Sequence, residues 1–205
     1  VYPHPKRTVI AGHWAGEEVG EVGSKAFTED HPEVIKGLQA LFNQDNGTGR
    51  VTRIGGAGLP NAAEHMTKWL NALPQELQTQ AVYRGPGFPT GGGSDDFSFA
   101  CYGLPAFGLG ALNWDYGSYT WHTNRDTYDK IVFDDVKSNA VLTAMLAYEA
   151  SEDDSFITRE RIDLAAAAAG ATAAGNGTRG RRGGFPTTWP ECVKAPRVTK
   201  PRLTR

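Results

Sequence analysis

The sequence predicts an α/β sandwich, and two observations carry that prediction. Short apolar runs rich in β-branched or aromatic residues alternate along the chain with stretches whose apolar residues recur at helical spacing, the pattern of strands packed against helices. The 205 residues include 40% hydrophobic and 21% charged side chains, which is enough apolar material for one ordinary core.

The elements follow in chain order. Arg7 to Trp14 (RTVIAGHW) is mostly apolar and β-branched and reads as a buried strand that ends at Gly16. Gly20 to Asp30 reads as a helix, with Val22, Ala26 and Phe27 on one side and Ser24 available as a cap, and Pro32 suits the first turn of a second short helix. Leu38, Ala40 and Phe42 alternate with Gln39, Leu41 and Asn43, a strand that runs up to Asp45; Asn46-Gly47 then turns the chain into a second run, Arg50 to Ile54. Ala62, Met66, Trp69, Leu70 and Leu73 sit at helical spacing and read as core packing. A strand near Ala81 to Tyr83 leads into a loop over 85–93 whose glycines and prolines stop regular structure, and Ser94-Asp95-Asp96 opens a short helix over Phe97 to Tyr102. Pro105 to Leu109 completes the strands, and Asp134 to Glu149 forms the longest helix, with Val136, Ala140, Met145 and Tyr148 placed for burial.

The composition changes after Asp154. Ala165 to Ala174 is nearly all alanine, Gly and Arg follow, and a Pro-rich basic stretch ends the chain. The expected division is therefore 1–154 as the packed unit and 155–205 as a low-complexity tail, disordered or peripherally docked, with Arg179, Arg181 and Arg182 in solvent. The net charge of −2 gives no reason to expect nucleic acid or an anionic membrane as partner, and no apolar run is long enough to span a membrane. The residues from Val1 to Lys6 carry no signal-peptide pattern. Cys101 and Cys192 are far apart and lack CxxC spacing, so neither a disulfide framework nor a thiolate zinc site is suggested; a zinc ion here must use His and carboxylates.

Glu17 and Glu18 follow a strand-like run and a glycine, the place where open α/β sheets collect functional groups. Adjacent carboxylates repel, and Gly16 lets the chain bend so that both address one locus, which a cation would relieve. The same pair would also suit a solvated acidic turn at a helix start. Asp45, at the predicted strand end, supplies another hard donor, and His122 in WHTNRDTYDKI supplies an imidazole of the kind zinc favours. Taken singly, Asp45 is equally a turn aspartate before Asn-Gly and His122 an ordinary histidine.

The order of four segments decides between these readings. HWAGEEVGEVGSKAF, FNQDNGTG, GGGSDDFSFACYGLPAFGL and WHTNRDTYDKI resemble, in order and approximate spacing, the M28 family of zinc exopeptidases, of aminopeptidase and carboxypeptidase Q type. The resemblance covers Arg7 to about Ala150 and implies a three-layer sandwich with a mixed central sheet. It implies that Glu17 is the general base, that Glu18 and His122 are ligands of one zinc ion and that Asp45 is a ligand of a second. Ser94 and Asp95 match a supporting segment beside the site, and the aromatic residues from Trp114 to Trp121, Tyr119 foremost, are candidates for lining the substrate pocket and stabilising an oxyanion. Family members carry a His-x-Asp motif and a bridging aspartate before the Glu-Glu strand. Those motifs do not occur among the sixteen residues before Glu17, so the expectation is that the first part of the domain is missing and that this chain by itself is inactive. A peptide or dipeptide substrate, two zinc ions in the complete site and a secreted or periplasmic location follow from the same resemblance. A single-zinc acyltransferase of the glutaminyl-cyclase kind and a noncatalytic binding homologue are the competing expectations.

Overall fold

The computed structural model describes residues 4–173 and 185–197. Four strands form one sheet: β1 (Leu41–Gln44), β2 (Val51–Gly55), β3 (Val82–Arg84) and β4 (Ala106–Ala111), in the order β1-β4-β2-β3. β4 runs parallel to β1 and antiparallel to β2, and β2 runs parallel to β3, so the sheet is mixed. The Asn46-Gly47 turn does not close a hairpin, because β4 inserts between the two strands that flank it.

Helices cover both faces. α1 (Val22–Asp30), α2 (Pro32–Gly37) and the short α5 (Phe97–Ala100) lie on one side; α3 (Ala62–Ala72), with the single turn α4 (Gln75–Gln78) after it, and α6 (Phe133–Glu152) lie on the other. The alternation of β4 builds the layers: Phe107 and Leu109 enter the larger core with Val51, Ile54, Met66, Trp69, Leu142 and Leu146, whereas Ala106 joins Phe99, Leu104 and Phe27 on the opposite face. An α/β sandwich with a mixed sheet is thus what the chain forms.

Three expectations are corrected. Arg7 to Trp14 forms no strand; it is extended and largely exposed. A strand requires a partner for its backbone groups, and this segment is held by side chains instead. The Arg7 guanidinium donates to the Ala150, Ser151 and Asp153 carbonyls at the end of α6, and a cavity of about 660 Å³ lies between the segment and the outer edge of β1. Ser24 does not cap α1. It is buried inside the helix, its hydroxyl 2.8 Å from that of Ser98, while Glu21 occupies the cap position. The buried stripe of α6 is Asp135, Asn139, Leu142, Leu146 and Ala150, and Val136, Ala140 and Tyr148 face outward. Two polar residues turn inward because they complete the backbone hydrogen bonds of the chain entering β2. The amides of Arg50 and Val51 donate to Asp135 (3.0 Å) and Asn139 (2.7 Å), and Asn139 donates to the Gly49 carbonyl at 2.9 Å.

Beyond α6, Ile157 is buried in the main core, and α7 (Leu164–Ala173) follows with Leu164 and Ala168 buried. In residues 185–197, Trp189 packs on the main core and Arg197 pairs with Glu29 and Asp30 of α1. Cys192 is disulfide-bonded to Cys101, where the sequence spacing suggested no disulfide framework: the partners are 91 residues apart in sequence but only 5.0 Å apart at Cα. Arg179, Arg181 and Arg182 lie outside the described residues.

Candidate active site

Gly16, at φ 72°, bends the chain into a short 3-10 turn, Glu17–Val19, after which α1 begins. That bend lets neighbouring glutamates share a locus, as a straight strand would not. Glu18 Oε2 lies 3.0 Å from His122 Nε2, across 104 residues of sequence, and both side chains remain more than half exposed. His122 is held at φ 57°, a conformation that L side chains rarely adopt, just after a π-helical turn spanning Tyr116–Thr120. Such outliers persist where surrounding structure imposes them and gather at functional sites.

Burial pushes the Glu17 carboxyl above its ordinary value, and the charges of Asp45, Glu18, Asp95 and Glu21 push it further. Asp45 follows the last residue of β1 and makes no hydrogen bond or ion pair among the described residues. Asp95 is likewise raised, chiefly by burial, and one of its oxygens, Oδ1, is buried without a partner. Ser94 accepts a hydrogen bond from Asn43 of β1 at 2.6 Å, so the loop before α5 is tied to the strand that carries Asp45. Glu17, Glu18, Asp45, Asp95 and His122 are therefore gathered at one end of the sheet. Among the described residues no group of three or more His, Cys, Asp or Glu side chains is closed enough to hold a metal ion. The donor chemistry nevertheless fits a hard or borderline cation: a Glu17 carboxyl raised by burial and by acidic neighbours, an orphaned buried carboxylate oxygen, and one imidazole already against a carboxylate.

The tyrosine that faces this cluster is Tyr116. Burial raises its phenol above the ordinary value, and Asp45, Asp126, Glu18 and Glu17 add to the rise. Gly47 makes the approach possible, since a Cβ there would come within 2.8 Å of the Tyr116 ring. Tyr119, the residue singled out in the sequence, instead lies under the Arg125 guanidinium, 4.9 Å from its centroid. Glu21 was also not singled out. Its carboxylate, 8% exposed as a residue, accepts from the Gly93 amide at 3.1 Å and pairs with Lys25 at 2.9 Å, fastening the glycine loop to the start of α1.

The model of peptidase family M28 matches residues 2–147, and the chain belongs to that family. Among solved structures, the peptidase M28 precursor of Shewanella amazonensis SB2B is 23% identical, with a TM-score of 0.57 over 71% of this chain and 31% of that one. An aminopeptidase from Aneurinibacillus sp. strain AM-1 is 25% identical, with a TM-score of 0.49 over 73% of this chain and 35% of that one. The chain thus spans about a third of the length of the solved structures it matches. The first of these likenesses is one of fold.

Proposed function

We propose that these residues belong to a zinc-dependent exopeptidase that hydrolyses a terminal peptide bond, with Glu17 as general base. The observation that supports it most directly is the contact between Glu18 and His122 beside the mutually repelling Glu17 and Asp45. Glu18 and His122 would hold one ion and Asp45 a second. Zinc held there would supply the Lewis acidity that acidifies water and polarises a carbonyl. Glu17, its carboxyl raised toward the working pH of a base, accepts the proton from water and passes it to the leaving amine. Tyr116, kept in its protonated form by burial and surrounding negative charge, donates its O–H toward the oxygen that gains charge. A secreted or periplasmic location is supported by the Cys101–Cys192 disulfide, since such bonds persist in oxidising compartments.

The test separates binding from chemistry. Zinc affinity, measured by competition with a chromophoric chelator, is expected to fall at least about tenfold in Glu18→Ala and in His122→Ala, and to stay within about twofold in Glu17→Gln. In the polypeptide that turns over peptides, Glu17→Gln is expected to lose about 10²-fold or more in kcat. Unchanged zinc affinity after loss of both Glu18 and His122 would end the metallopeptidase reading.

A further inference from the structure

Beside the carboxylate cluster lies a cavity lined by none of the proposed metal ligands and not by Glu17. On β4, Phe107 and Leu109 face the main core, which leaves Gly108 and Gly110 on the opposite face; on β2, Ile54 enters the core and Arg53 and Gly55 turn the other way. Over this half of the sheet the cover is the loop near Phe88 to Gly92 and Pro186, and beneath it is a cavity of about 770 Å³ whose lining includes Asn46, Arg53, Thr90, Asp96, Gly108 and Gly110. That volume is in the range of small-ligand sites. Asn46 is the residue after Asp45, and its side-chain amide donates to the Leu109 carbonyl, so one wall of the cavity is continuous with the site.

Arg53 is the cavity's cation. It is exposed at the cavity's rim, its side chain lies across Gly110 so closely that a Cβ there would sit 2.2 Å from Nε, and among the described residues the guanidinium makes no hydrogen bond or ion pair. Water answers an exposed guanidinium in the free protein, and its planar fork is matched by a carboxylate that enters the cavity. Asp96 stands over Gly108, its Oδ2 3.2 Å from where a Cβ would be, and keeps a second anion away from that end. A ligand carboxylate is thereby confined to the Gly110 end. Arg84 shares this face of the sheet, since it pairs in register with Gly55, but it lies outside the cavity lining.

We propose that this cavity receives an acidic side chain of the peptide substrate, with the Arg53 guanidinium as its counter-ion. The proposal rests on the hydrolase reading for the word substrate, while the anion subsite itself does not. The test is a titration of the chain with N-acetyl-L-glutamate, N-acetyl-L-glutamine and N-acetyl-L-leucine, followed through the amide resonances of Gly91, Gly108 and Gly110. The glutamate derivative is expected to shift those amides and to bind about tenfold more tightly than the glutamine derivative, the scale of one charge-assisted contact. Arg53→Gln removes the difference, Arg53→Lys restores part of it, and Arg84→Gln leaves it intact. Equal binding of the three probes, or an unchanged preference in Arg53→Gln, overturns the proposal. Equal losses in Arg53→Gln and Arg84→Gln also overturn it, because they mark the open face as a surface for an acidic macromolecule. The titration needs no turnover, so the two readings fail separately. Hydrolysis that prefers leucine and ignores Arg53 removes the acidic subsite alone, whereas glutamate binding in a chain whose zinc affinity ignores Glu18 and His122 removes the hydrolase alone.

Discussion

Two acidic regions of this molecule are treated in opposite ways. At the end of α6, the Asp153 side chain is 1% exposed and its oxygens are met by donors: Lys68 at 2.7 Å, His65 at 2.8 Å, the Trp69 indole at 2.9 Å, and the Ser155 hydroxyl and amide at 3.2 and 3.3 Å. Burial pushes its carboxyl up, but those donors outweigh burial and hold it well below the usual carboxylate range. At the end of β1 the arrangement is reversed. Glu17, Asp95 and Asp96 are all raised, first by burial and then by neighbouring carboxylates, of which Asp45 acts on all three. The fold neutralises the carboxylate it uses as a fastener and leaves the strand-end carboxylates facing each other, a state that a bound cation would relieve.

The largest expected effect tests the fastened side of that contrast. Asp153→Ala leaves the Trp69 N–H and the His65 ring buried without their acceptor and is expected to cost about 3–5 kcal/mol, read as a lowered urea midpoint. The sign of the pH dependence follows from a depressed carboxyl. Its contribution is complete above the ordinary aspartate value of about 3.9 and is lost as the pH falls through the folded-state value. Wild-type stability should therefore decline below about pH 4, and Asp153→Asn should flatten that decline. An acid limb identical in both proteins would mean that Asp153 is not the fastener described.

Asp96 tests the other side and carries the opposite sign. Burial pushes its carboxyl up to about 6, with Asp45 and Asp95 adding to the rise while the amides of Asp96 and Phe97 pull it back. Stability from this group is present below the ordinary value and is lost as the pH rises through about 6. At 6% exposure the residue is little screened, so Asp96→Asn is expected to gain on the order of 2 kcal/mol over wild type at pH 7.5 and almost nothing at pH 4. Equal differences at the two pH values would break the contrast.

The contrast also explains what was legible in the sequence. The family was legible because four ordered motifs carry it, and the apolar spacing of Met66, Trp69 and Leu73 marked the buried face of α3 directly. α6 misled because two of its inward residues, Asp135 and Asn139, are polar and serve β2 by hydrogen bonds, so the apolar spacing no longer marks the buried stripe. The segment from Arg7 to Trp14 has strand chemistry but is held through the Arg7 guanidinium, and side-chain composition does not reveal whether a ladder partner exists. Cys101 and Cys192 meet only through the packing of residues 185–197 against the core, which no local spacing encodes. Tyr116 and Tyr119 sit in one turn, and choosing between them required knowing which ring lies against Gly47.

The smallest expected effect is the most diagnostic. Glu17 is raised by burial and by four neighbouring carboxylates, but it is partly exposed, so water screens the repulsion and the metal-free cost amounts to a few tenths of a kcal/mol. A raised carboxyl contributes below its ordinary value and loses that contribution as the pH rises. Glu17→Gln should therefore match wild type near pH 4 and melt slightly higher at pH 7 when no metal is present. Removing a side chain that serves as a fastener lowers stability, as at Asp153, whereas removing a charge that its neighbours repel raises it. A Glu17→Gln chain less stable than wild type at pH 7 would place Glu17 with Asp153 among the structural carboxylates and leave the proposed reaction without its base.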